Sequence, residues 1–269
     1  MRMKGFIVQK LKVLFFFLFL IRFQVIFAID PLVSTDARSF SLGNIRALSD
    51  ELHNPATVSF AEKKQLGVSV FNRFEMSELN TAALYLKYPD KYLDMGAKLA
   101  TFGYEDYRLT QLQGSFSKKI FPDLAIGIQL TYRNESSRWE EVSHSYFSSG
   151  LGIYYRLNEQ IDLALSGENL LHTSEDASWN GYAGMKYKAS GNVVLFLEAG
   201  GGKETSFRFA AGLEYTIFDQ FTIRSGYDSG PHSPSFGVAY RLNRWTTDVG
   251  FSLHSVLGIS SMIGVSYEL

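Results

Sequence analysis

From about Gln65 onward, apolar residues alternate with small or polar ones over runs of roughly ten residues, and this period of two restricts the chain to long β-strands with two unlike faces. From Thr247 to Leu253, Thr247, Val249, Phe251 and Leu253 point one way, while Asp248, Gly250, Ser252 and His254 point the other. The apolar set Phe207, Phe209, Ala211, Leu213, Tyr215 and Ile217 is interleaved with Arg208, Ala210, Gly212, Glu214 and Thr216. Phe221, Ile223 and Tyr227 oppose Thr222, Arg224, Gly226 and Asp228, and Ile263, Val265, Tyr267 and Leu269 oppose Met262, Gly264, Ser266 and Glu268. About fourteen such runs begin near Leu66, Thr81, Leu93, Arg108, Leu124, Ser143, Ile161, Gly181, Asn192, Ser206, Phe221, Ser235, Thr246 and Ile259, each near the length that crosses a bilayer at a tilt.

Two architectures use such strands. A soluble all-β protein would pack the apolar side inward and turn the other side to water. That other side is rich in Gly, Ala and Ser with scattered charges, which suits a confined lumen better than an open surface. The reading is therefore an all-β fold, a transmembrane antiparallel β-barrel of about fourteen strands. An even number returns both ends of the wall to one side of the membrane, as in bacterial outer-membrane barrels.

The connections agree. Pro89-Asp90-Lys91, Phe121-Pro122-Asp123, Asn158-Glu159, Ser190-Gly191-Asn192, Asp219-Gln220 and Asn243-Arg244 are short, and generally longer loops such as 134–142, 171–180 and 229–234 lie between them. Short turns belong to the periplasmic rim and longer loops to the extracellular one. Aromatics at the run ends suggest two girdles: Tyr88, Tyr92, Phe121, Phe218, Tyr240, Trp245 and Tyr267 at the short-turn rim, and Phe74, Tyr104, Tyr107, Tyr132, Trp139 and Tyr182 at the other.

The chain starts with Arg2, Lys4, Lys10 and Lys12, continues with the apolar run 13–21, and reaches Val25-Ile26-Phe27-Ala28, the pattern of a signal peptide cleaved near Ala28. The apolar run is far short of the roughly 20 residues a helical anchor needs. Loss of residues 1–28 removes five basic residues and no acid, leaving 21 basic against 27 acidic side chains, a net charge of −6. A mildly acidic body argues against nucleic-acid binding. Cysteine is absent, which excludes a disulfide framework and any thiolate site.

Residues 29–62 do not alternate and form a separate element ahead of the barrel at 63–269. They contain Asp36-Ala37-Arg38-Ser39 with Leu42-Gly43, then Asn54-Pro55-Ala56. This arrangement, just inside a mature N-terminus and before a fourteen-strand pattern, resembles the FadL-type outer-membrane transporters and, more closely, their PorV/PorQ-like relatives associated with type IX secretion. The resemblance implies that 29–62 folds back into the lumen as a plug or hatch, with Asn54, Pro55 and Ala56 near its turn. A turn there also has a local cause: Pro55 biases Asn54 away from the helical region, and an Asn side chain bonds back to nearby backbone. The alternative is an N-terminal linker with an ordinary Asn-Pro turn. Phe40, Leu42, Leu48 and Leu52 need cover from water. Gly226, Gly237, Gly250 and Gly264 on successive strands leave space where a folded-in segment would lie.

Signs of catalysis or cofactor use are weak. The five histidines are His53, His144, His172, His232 and His254; of these only His144-Ser145 suggests a hydrolase, and Ser and His at a loop edge are ordinary. Gly200-Gly201-Gly202-Lys203 lacks the Ser or Thr that follows Lys in a phosphate loop. No histidine pair has metal-ligand spacing, so the expectation is a non-enzyme without metal or cofactor. The inward-parity charges Arg156, Glu168, Lys186, Glu198, Arg208, Glu214, Arg224, Asp228, Arg241, Asp248 and Glu268 carry both signs. Such groups either pair across the lumen and hold a plug, or line a polar path. The resemblance leaves two functions open: passage of small or hydrophobic molecules past a plug, or a scaffold for secretion or surface-protein partners. Either sits in outer-membrane lipid of a Gram-negative bacterium.

Overall fold

The computed structural model describes residue 32 and residues 35–49, 52–138, 143–174 and 177–269. The signal-peptide stretch 1–28 and Trp139 lie outside the described residues. The wall consists of β1 (Gln65–Asn72), β2 (Asn80–Tyr88), β3 (Asp94–Gly103), β4 (Tyr107–Phe121), β5 (Leu124–Ser137), β6 (His144–Arg156) and β7 (Ile161–His172). It continues with β8 (Asn180–Lys188), β9 (Val193–Gly202), β10 (Arg208–Phe218), β11 (Phe221–Asp228), β12 (Ser233–Leu242), β13 (Trp245–His254) and β14 (Gly258–Glu268). Each strand pairs antiparallel with its chain neighbours, and β1 pairs with β14, so the sheet closes into a barrel. Every strand begins within two residues of its sequence-based start, because the punctuating Gly, Pro, Asn and Asp end the alternation where the ladder turns.

The parity follows the sequence. Leu66, Val68 and Val70 on β1, Ile126, Ile128 and Leu130 on β5, and Phe251 and Leu253 on β13 are exposed on the outer face. Their neighbours Ser69, Ala125, Gln129, Thr131 and Gly250 are buried inside. An apolar outside and a polar inside reverse the layering of a soluble protein, and in a bilayer this places hydrocarbon against hydrocarbon.

Two aromatics depart from the girdle reading. Tyr182 is only 3% exposed and points into the barrel, since its neighbour Ala183 takes the outward parity. Tyr107 also faces inward, where its hydroxyl donates to Glu135 Oε1 at 2.8 Å. The short-turn rim keeps exposed rings at Tyr92, Phe121, Phe218, Tyr240 and Trp245.

Register shifts interrupt the ladder at three places: near Ile120 in β4, near Ile217 in β10, and, most extensively, between β6 and β7. Ser149 pairs with Leu171 and Leu151 with Gly167, so Glu168, Asn169 and Leu170 of β7 stand opposite the single residue Gly150 of β6. Asn169 takes a positive φ of 53°, a conformation that Asn tolerates better than most side chains.

The N-terminal segment packs against the inner face of the wall. Its short helix α1 (Ala37–Ser41) lies on β11, β12, β13 and β14, and a 3-10 helix at Pro55–Phe60 lies on β3, β4, β5 and β6. Phe40, Leu42, Leu48 and Leu52 are buried, each 4% exposed or less.

Candidate functional site

Residues 37–48 and 52–56 meet the wall through close approaches that glycine permits. A Cβ added at Gly226 would stand 2.2 Å from both Gly43 N and Leu42 C, and one at Gly237 would stand 2.0 Å from Ser41 Oγ. At Gly250 the nearest atom would be Ser41 Oγ at 2.6 Å, whereas at Gly264 it would be Ala37 Cβ at an ordinary 3.4 Å. Gly43 itself has φ +78°, which turns the chain out of α1 against the backbone of Tyr227.

At the opposite end of the segment, Asn54 is held extended (φ −110°, ψ 111°), as a residue before proline should be, and Pro55 opens the 3-10 helix. Asn54 Oδ1 accepts the Ala56 amide at 3.0 Å. Its Nδ2 donates to the carbonyls of Ala47 at 2.8 Å, Ile153 at 3.1 Å and Leu165 at 3.3 Å. One side chain thus ties two parts of the segment to β6 and β7. Gly127 and Gly152 make room for it: a Cβ at Gly127 would come within 2.7 Å of Ala56 N, and one at Gly152 within 2.0 Å of Asn54 Oδ1.

The inward charges form two clusters. In the first, Arg38 of α1 binds Glu214 through two bonds, Nε to Oε2 at 2.8 Å and Nη2 to Oε1 at 3.0 Å, a bidentate fork. Arg224 donates to the same carboxylate at 2.7 Å and also pairs with Asp248. In the second, Arg208 pairs with Asp228 at 3.1 Å and Glu198 at 3.4 Å, and donates to the carbonyls of Gly43 and Asn44 at 3.1 Å. Glu198 Oε2 accepts the amides of Arg46 and Ala47, both at 2.7 Å, while the Arg46 guanidinium donates to the Tyr182 hydroxyl. Lys186 meets Asp162 at 3.2 Å, and His53 lies 3.4 Å from Glu168.

The remaining charges lie away from these clusters. Glu268 pairs with Lys63 at the barrel end, Arg156 covers the Phe60 ring, and Arg241 is exposed next to the Asn243-Arg244 turn. Arg241 keeps inward parity, yet it stands beyond the enclosed part of the lumen.

Sequence reasoning missed four contributors. Arg38 and Arg46 lie in a stretch without strand alternation, so parity says nothing about them. The polar ladder Gln111, Gln113, Ser115 and Ser117 on β4 was visible as a polar parity, but uncharged amides and hydroxyls do not stand out as a site. The β7 bulge had no local sign beyond a Glu-Asn pair, and it lets the adjacent residues Glu168 and Asn169 line the same space. That space, bounded by His53, Gln113, Thr131 and Arg133 as well, is a cavity of about 20 Å³, enough for about one water. Among the described residues, no group of three or more His, Asp and Glu is placed to hold a metal ion.

A closed wall, apolar outside and polar inside, defines a bacterial outer-membrane β-barrel. Within that class, solved structures that it resembles include monoaromatic hydrocarbon channels and a FadL homologue. A mutant of the TodX monoaromatic hydrocarbon channel superposes with TM-score 0.70 at 12% identity, covering 89% of this chain and all (100%) of that one. The CymD monoaromatic hydrocarbon channel gives 0.69 at 14% identity, covering 88% and 98%. A Pseudomonas aeruginosa FadL homologue gives 0.58 at 12% identity, covering 87% and 98%. The likeness is one of fold. No family model matches the chain, and no curated protein matches it either.

Proposed function

We propose that this protein is a non-enzymatic outer-membrane barrel that passes small molecules, with residues 29–62 as a plug that must shift for passage and 63–269 as the conducting wall. The observation that carries this reading is an occupied lumen: Ala37–Ser41 and Pro55–Phe60 pack on the inner face of the wall, beside a cavity of about 20 Å³ bounded by His53 and Gln113. A lumen occupied in this way conducts more freely when its occupant moves. Likeness to channels supports passage as the role of the fold. Export with removal of residues 1–28 belongs to the same reading.

Deletion of residues 31–60, with signal and wall retained, should raise single-channel conductance in planar bilayers. A deleted form that assembles and conducts no better than the full chain would remove the plug from the proposal.

A second reading is a PorV/PorQ-like scaffold for a secretion or surface-attachment machine. It is favoured by short extracellular connections, such as residues 104–106 between β3 and β4 and 255–257 between β13 and β14, which build no capture pocket of their own. Stoichiometric partner proteins in native membrane extracts would support it, and a lone barrel would support passage.

A further inference from the structure

From Ser41 to Ala47 the wall holds the segment largely by its main chain. Ser235 Oγ donates to the Ser41 carbonyl and accepts the Gly43 amide, both at 3.0 Å. Arg208 donates to the carbonyls of Gly43 and Asn44 at 3.1 Å, and Glu198 accepts the amides of Arg46 and Ala47 at 2.7 Å. Ser235, Arg208 and Glu198 are buried, none more than 4% exposed. The wall backbone also comes close to that main chain: a Cβ at Gly212 would stand 2.9 Å from the Leu42 carbonyl oxygen, and one at Gly226 would stand 2.2 Å from Gly43 N. Apolar side chains complete the contact. Leu42, Ile45 and Leu48 of the segment share one buried cluster with Tyr154, Tyr182 and Phe196 of the wall. The polar side chains of Asn44 and Arg46 add contacts with Asp228 and Tyr182.

A surface that satisfies amides and carbonyls while giving pockets to spaced apolar side chains is how proteins bind peptides: main-chain bonds supply affinity and pockets supply sequence preference. The two charged wall groups suit that task, with a cation on carbonyl oxygens and a carboxylate on amides. We propose that the inner face of β8 to β12 is a peptide-binding site, and that residues 41–48 are an occupant which another chain of like pattern can replace. The pattern is an apolar residue followed by glycine, with further apolar residues three and six places after the first, as in Leu42, Gly43, Ile45 and Leu48. Glycine is required at the second place, because Gly43 has φ +78° and a Cβ there would stand 2.6 Å from the Tyr227 carbonyl oxygen. The inference concerns binding alone, so it stands or falls independently of whether the lumen passes a solute.

The full chain tests it, with the recognition site of a sequence-specific protease inserted between the exposed residues Glu62 and Lys63 and cut after assembly. The segment is then held by its contacts alone, without the effective concentration that the covalent link supplies. Urea too dilute to unfold the wall should release it, and the shift in gel mobility on heating shows that the wall is still folded. After removal of urea, a fluorescein-labelled peptide of residues 35–60 should bind the wall with saturation, read by anisotropy. N-methylation of that peptide at Arg46 and Ala47 removes both donors to Glu198 and keeps every side chain, and it should weaken binding more than about tenfold. Glu198→Gln in the wall should weaken the unmodified peptide to a smaller extent, and Gly43→Val in the peptide should abolish binding. A segment that leaves only when the wall unfolds overturns the proposal, as does an absence of saturable binding. Equal binding of the N-methylated and unmodified peptides overturns recognition through the main chain and the proposal with it.

Discussion

Replacing Asn54 by alanine removes the side chain that ties the segment to the wall, without touching the wall itself. Asn54 is fully buried, at 0% exposure, so its bonds are not discounted by solvent. Loss of the cap to the Ala56 amide costs about 1 kcal/mol. The two Nδ2 hydrogens serve three carbonyls, of Ala47, Ile153 and Leu165, and their loss costs about 2 kcal/mol at roughly 1 kcal/mol per hydrogen bond. Together, about 3 kcal/mol is withdrawn from the docked segment, which raises the undocked fraction about a hundredfold. Single-channel recording reads this directly as the fraction of time spent conducting, and limited proteolysis reads it as faster cleavage within residues 35–60. Asn54→Ser keeps a cap but cannot reach β6 and β7, so it should fall between wild type and Asn54→Ala. Identical conductance and proteolysis in all three proteins would show that these bonds do not hold the segment.

Three further outcomes follow from the geometry. Phe251→Lys and Val249→Lys place a charge on the lipid face and should cost assembly about 2 to 4 kcal/mol near the midplane, measured by urea titration of the folded barrel, while Ser252→Lys on the lumen side costs much less. Gly226→Val drives a branched side chain into the backbone of Leu42 and Gly43 and should speed proteolysis of the segment, whereas Gly264→Ala, whose Cβ meets Ala37 at 3.4 Å, should leave it unchanged. The intact mass of the outer-membrane form should correspond to a start just after Ala28, and retention of residues 1–28 would refute the export signal.

The wall was legible because its physics is local. A strand that crosses lipid must change character at every residue, and Phe207 to Ile217 does so without interruption, so the face of Phe209 and the face of Ala210 follow from parity alone. The interior was legible only as a list of residues. Arg38 and Glu214 are 176 positions apart, and nothing near either one signals the other. Tyr182 looked like an interfacial ring because it sits near a strand end; its inward parity is clear only once β8 is seen to start at Asn180. The β7 bulge shifts the faces of Glu168, Asn169 and Leu170 against a count of two, and a pattern read by twos cannot show where it skips.

The N-terminal segment spans the barrel like a cross-brace, with α1 on β11 to β14 and Pro55–Phe60 on β3 to β6. This imposes an order on assembly. Residues 37–41 emerge before any strand, yet their seat is completed only when the last strand is in place and Gln65 has met Glu268 at the seam. Joining ends so far apart in the chain is a late and slow event. Until then residues 37–41 remain open to chaperones and proteases. Loss of β14 would therefore do more than open the sheet. It would leave the start of the chain unseated, so that damage at the C-terminus is displayed at the N-terminus.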